Sequence, residues 1–458
     1  MALDDGEVEW LRGEVDALTR ELAAARLRTV AGMDPSPALQ AVFRGRTRAA
    51  HRETVSALRE RGDAALAERV AALRAERAAA ADEEAWRAAE SAATADGPEG
   101  SRPLAEVEAA AAAEVDRARR RLLASASARA IGEAAAAGEA AAERRAAARA
   151  EAGLTPPWED VVEGDALLAA SDDAWRDLLS WLAARDGLAP APGGDLERAD
   201  LLHLLRLGEW SGHFRPGMLP LRLREALGGL GLPLSPVRID AEDRPAKWPG
   251  VHVLEARVSF RRGGGAPDWV GLFRAAGQAS AAALSSPSAR DPAFPFAAGA
   301  LAASLLAEPS FLERSLDVAR SRARDLARAV ALRALFELRA RAAALRVAAE
   351  VERGTSGRAW RAAHREALSA ALLAAWPDGL AARDARVEEH RAALRGAAWG
   401  ERLRADLVER FDEDFWRNPR TAPWIAGVLA TGRVGPDKER PPLASAAGAL
   451  VRRLEAGR

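Results

Sequence analysis

Metal ligation and acid–base chemistry near neutral pH fall first to histidine. The chain has six, His51, His203, His213, His252, His364 and His390, and no two stand at close ligand spacing within one helix. His203 and His213, ten positions apart, do not share a helical face. There is no cysteine, which removes thiolate ligands, disulfides and cysteine nucleophiles together, and no tyrosine. Ser211-Gly212-His213 and Ser285-Ser286 are loop-like and lack a Gly-x-Ser-x-Gly elbow. Gly263-Gly264-Gly265 lacks the Lys and Ser/Thr that make a glycine loop a phosphate cradle, so it reads as a plain turn. Isolated surface or core histidines fit this pattern better than a built metal site.

The elements that would position any site are mostly helical. Residues Glu7 to Ala95 carry helical periodicity with short breaks, and Leu11, Val15, Leu18 and Leu22 form an apolar stripe. Asp34 to Pro37 interrupts that pattern, with Pro37 able to open the next helix. Asp96 to Pro103 reads as a loop, and Leu104 to Ala152 as alanine-, arginine- and glutamate-rich helix with a shallow apolar face. Ser171 is expected to cap a helix bearing Trp175, Leu178, Leu179 and Leu182. A Pro/Gly linker follows from Leu188 to Gly194. Val251 to Phe260 is the strand candidate, and a long helical block starts near Pro309. The expected organisation is a helical region at 1–150, a main domain at 151–440 and a short tail at 441–458.

Lys and Arg total 66 against 67 Asp and Glu, so the formal charge is -1 and supplies no field for general nucleic-acid or membrane binding. The base is almost wholly arginine, Lys247 and Lys438 being the only lysines, which points to coding bias in a GC-rich bacterial genome. No apolar run reaches the ~18 uncharged residues of a membrane span, and the acidic start lacks a signal-peptide pattern. A cytoplasmic protein is expected.

The segment Asp268-Trp269-Val270-Gly271-Leu272-Phe273-Arg274-Ala275-Ala276-Gly277-Gln278-Ala279 resembles the metal-binding helix of the zinc oligopeptidases, the family of thimet oligopeptidase and oligoendopeptidase F. That family carries an Asp-aromatic pair, apolar residues, then His-Glu-x-Gly-His-Ala. In this register Arg274 falls at the first histidine, Ala275 at the glutamate and Gln278 at the second histidine. Leu301, Leu305, Leu306, Glu308, Pro309, Phe311 and Leu312 are similar to the family's following helix, which puts Phe296 at its third ligand, a glutamate. Asp243 to Gly250, Leu394 to Leu403 and Phe411 to Pro419 resemble further family segments in the same order, so the likeness runs from about Arg145 to Gly432.

The resemblance implies an all-α, zincin-like oligopeptidase fold with a small strand region beside the active-site helix. It also implies lost chemistry. Two histidines four apart on a helix grip zinc, and the glutamate takes a proton from metal-bound water whose pKa falls to ~7. Arg274 offers no lone pair and repels the cation, Ala275 accepts no proton, Gln278 has only an amide and Phe296 has nothing. Ala393 lies near where the family supplies an oxyanion-stabilising tyrosine. The expectation is a pseudopeptidase without cofactor that keeps a cleft for a peptide or protein partner. Arg274, Arg244 and Lys247 would form a cationic floor, with His252 and Glu255 as further lining. The alternatives are a helical oligomerisation protein and a residual metallopeptidase.

Overall fold

The first helix, α1 (Asp5–Val30), is started by a reciprocal cap: Asp4 accepts from the Glu7 N–H, and Glu7 accepts from the Asp4 N–H. Its predicted stripe, Leu11, Val15, Leu18 and Leu22, is buried. The computed structural model describes residues 3–34, 38–46, 48–188, 196–430, 432 and 441–455. The expected helix start at Pro37 and linker residues 189–194 lie outside these.

Helices α2 (Ala64–Ala92) and α3 (Arg117–Glu151) run against each other. Their small residues allow close approach: a Cβ added at Gly138 would come within 2.8 Å of the Trp86 ring. Between them the expected loop is a hairpin, β1 (Thr94–Gly97) with β2 (Gly100–Pro103). Next comes α4 (Trp158–Arg185). Ser171 is inside this helix, not at its cap, because the helix already starts after Pro156-Pro157. The Ser171 hydroxyl instead donates to the Leu167 carbonyl at 2.8 Å and accepts from Arg339 at 2.7 Å.

After the short α5 (Arg198–Leu204), three strands form a sheet: β3 (Arg238–Asp240), β4 (Gly250–Leu254) and β5 (Arg257–Arg261), in the order β3-β5-β4. The single strand expected from Val251 to Phe260 is therefore a hairpin. The chain reverses at Glu255-Ala256, where Glu255 takes a left-handed φ of 53° and its carboxylate is paired with Arg290. Gly263 to Gly265 follows the end of β5 as the expected turn and leads into α6 (Ala266–Ala283), and Asp268 accepts from the Gly263 and Gly264 N–H groups at 3.0 and 2.9 Å.

Four further helices shape the site: α7 (Ala293–Ser304), α8 (Arg320–Val351), α9 (Gly357–Leu372) and α10 (Val387–Phe411). The block expected from Pro309 splits into a short helix, Pro309–Ser315, and α8. The largest apolar core joins α4, α6, α7, α8 and α10, and also takes in Leu104, Val107, Leu123 and Ile131. A second core lies within residues 3–80 and Ala152. Glu83 of α2, almost fully buried, is bonded by Arg26 of α1, Arg145 of α3 and Arg386 just before α10. That ionic knot ties the N-terminal helices to the main body. Among the described residues no single helix is long and apolar enough to cross a membrane. An apolar pair, Ala293–Ala307 with Pro309–Ser315, is bent by 70°, and most of it is core.

Candidate functional site

Glycines bring α6 and α7 together. A Cβ at Gly277 would lie 2.8 Å from the Ala298 carbonyl oxygen, and one at Gly299 would lie 2.7 Å from the Arg274 carbonyl oxygen. The same position at Gly299 is 3.1 Å from Arg274 Cγ and 3.2 Å from Gln278 Cβ. Arg274 and Gln278, one turn apart on α6, thus flank Gly299, and Phe296 sits one turn before Gly299 on α7. These three side chains are half-buried, while the residues next to each along its helix are buried. Ala275 turns into the core. Phe296 packs its Cβ on Gly396 of α10.

Opposite α6, helix α8 presents Arg333, Glu337 and Arg341 at four-residue spacing, hence on one face. Arg274 is ion-paired with Glu337, which also faces Arg333 at 3.8 Å. Arg341 bonds Glu389 of α10 at 3.0 Å. The Arg341 and Glu389 side chains keep 36% and 46% of their surface accessible, yet desolvation is the largest single influence on both pKa values. Both side chains are thus partly open to solvent while packed among other protein groups. Desolvation opposes charge on each, but their mutual attraction outweighs it, raising Arg341 and lowering Glu389.

Beside this row lies a cluster that spacing did not reveal. His364 of α9 has Nε2 2.9 Å from an Asp384 carboxylate oxygen. His390 of α10 donates from Nε2 to the Asp384 carbonyl at 2.8 Å, so its Nδ1 is free to accept from Arg341 at 3.3 Å. A second proton on that ring would face a guanidinium; burial and Arg341 hold its pKa down. Asp384 is carried to about 2: burial opposes the shift, and His364, His390 and Arg341 overcome it.

His252 of β4 is half-buried, with Nε2 3.1 Å from the Pro249 carbonyl oxygen. Burial lowers its pKa, and nearby Arg87 and Arg383 add to the effect. The expected cationic floor is not formed by Arg244 and Lys247. Lys247 is fully buried and donates to the Asp240 and Glu242 carbonyls, each at 2.8 Å, with the Asp240 carboxylate at 3.1 Å. Arg244 is held by Asp240, Glu242 and the Ala31 carbonyl. Arg244 fastens the pre-strand loop to the end of α1, where Trp248 N–H also meets the Val30 carbonyl, while Lys247 ties that loop to itself. Glu255 is occupied by Arg290 at the hairpin turn.

The donor chemistry at Arg274, Gln278 and Phe296 does not fit zinc. It comprises one engaged guanidinium, one neutral amide and one hydrocarbon ring. Among the described residues no group of three or more His, Asp or Glu is placed to hold a metal ion.

The whole arrangement has counterparts among solved structures. Pz peptidase A with an inhibitor matches at a TM-score of 0.58 and 11% identity, over 99% of this chain and 88% of that one. A protein provisionally named oligoendopeptidase F matches at 0.59 and 13%, over 99% and 87%. Another so named, from Bacillus anthracis, matches at 0.53 and 13%, over 99% and 86%. This is the helical oligopeptidase fold. No family profile and no curated protein matches the sequence itself. The oligopeptidase fold is thus carried by a sequence that shares little with these neighbours beyond the architecture.

Proposed function

We propose that this chain is a non-catalytic protein of oligopeptidase fold, a pseudopeptidase, that binds extended peptide. The observation that carries the reading is the free edge of β4 above α6. Leu254 and Arg257 flank a two-residue turn, so they form the hydrogen-bonded pair, and alternation turns the backbone groups of Val251 and Val253 away from β5. Among the described residues, those outward groups have no backbone partner. An exposed strand edge of this kind accepts an added strand through main-chain bonds. Val251 packs over Gly271, on the α6 stripe that continues to Arg274 and Gln278, so a strand added at β4 would lie beside those side chains.

The proposal separates binding from hydrolysis. With a guanidinium and an amide on the cleft-facing stripe, no group there activates water for attack on a peptide bond. Titration of fluorescein-labelled extended peptides against the protein and its Arg274→Ala variant tests the reading. Saturable binding to the parent supports it, and failure of peptides to bind either protein ends it.

A further inference from the structure

Arg198, in the first turn of α5, is a half-buried arginine whose guanidinium is bonded to no described residue. It lies against the Trp376 ring, 5.3 Å from the guanidinium carbon to the ring centroid, and its Nε is sealed without a partner. The surroundings do not neutralise it. Arg383, stacked on Trp248 at 4.4 Å, uses Nε on Glu90 and Nη1 on Glu108, both at 3.0 Å, and its Nη2 is buried without a partner. Glu90 also faces Arg87 at 3.5 Å. Three guanidinium groups therefore share two carboxylates, with the nearby Asp384 already engaged by His364. Trp376, under Arg198, and Arg383 lie on one short chain segment, and Trp248, under Arg383, stands two residues before β4.

We propose that Arg198, seated on the Trp376 ring on the same chain segment as Arg383, receives a carboxylate of the peptide that lies along β4. This rests on the peptide-binding reading above and adds a ligand class to it. A planar guanidinium fork matches a carboxylate in two parallel hydrogen bonds, and a walled-in cation without a counter-charge is stabilised by an incoming anion. The carboxylate comes from the peptide's C-terminus or from an acidic side chain.

The test is fluorescence anisotropy on the full chain with an apolar fluorescein-labelled heptapeptide in three forms: free C-terminal acid, C-terminal amide, and amide with a central glutamate. At low salt one carboxylate-bearing form should bind about tenfold tighter than the plain amide, the size expected for a charge-assisted contact. The tighter of the two names the source. Arg198→Gln should reduce that preference to about twofold or less. Arg198→Lys should restore part of it. Equal binding of all three forms, or a preference undiminished in Arg198→Gln, overturns the carboxylate site and leaves peptide binding standing. No binding of any form overturns both.

Discussion

Arg274 of α6 forms an ion pair with Glu337 of α8. The two side chains are 30% and 27% accessible, so solvent screens their attraction. Removal of Arg274 should therefore cost about 1 kcal/mol or less. Urea unfolding of Arg274→Ala checks this. A loss of several kcal/mol would make the pair a structural brace.

The placement of Arg274, Gln278 and Phe296 around Gly299 has a constructive test. The combined Arg274→His, Gln278→His and Phe296→Glu variant should retain one equivalent of zinc through gel filtration, and the parent should retain none. Histidines one turn apart with a carboxylate from the neighbouring helix form a zinc-binding set. A folded variant that stays zinc-free would show that the three positions do not share one site.

Close approach of α6 and α7 depends on hydrogen in place of a side chain. At Gly299 a methyl group would sit 2.7 Å from the Arg274 carbonyl oxygen, and the obstacle is backbone that cannot swing aside. Gly299→Ala should destabilise the protein by about 1–3 kcal/mol through overpacking. A denaturation midpoint equal to the parent's would show that the helices separate without cost.

Acid should act in two stages. His390, facing Arg341, Asp384 and Glu389, has a folded pKa below its ordinary 6.5. The unfolded chain binds this proton first, so stability is full above about pH 6.5 and falls as pH drops below it. Asp384, at about 2 against an ordinary 3.8, contributes fully above the higher value and loses its contribution as pH falls towards the lower. Melting temperature followed from pH 8 to pH 2 should show both declines. His390→Gln should flatten the upper one and Asp384→Asn the lower; unchanged profiles in both variants would contradict the assignment.

Much of the frame was legible because helical periodicity is local. The α1 stripe was visible in leucine and valine spacing, and the helical oligopeptidase fold was legible in ordered weak likenesses around Asp268 and Glu308. The misreadings were non-local. Glu255 carries no turn signal, and its left-handed conformation accompanies a bond to Arg290, 35 positions away. Lys247 reads as a cleft cation, but it is buried where the carbonyls of Asp240 and Glu242 and the Asp240 carboxylate take its ammonium. His364 and His390 meet at Asp384 from separate elements, 20 and 6 positions away, intervals that match no short motif. Arg198 gave no sequence signal, since only the fold shows which arginine lacks a carboxylate.

Mass spectrometry of an unlabelled peptide after incubation with the protein and added zinc tests the central claim most directly, using a peptide shown by anisotropy to bind. The account predicts that the peptide is recovered intact. Zinc-dependent cleavage products would contradict it.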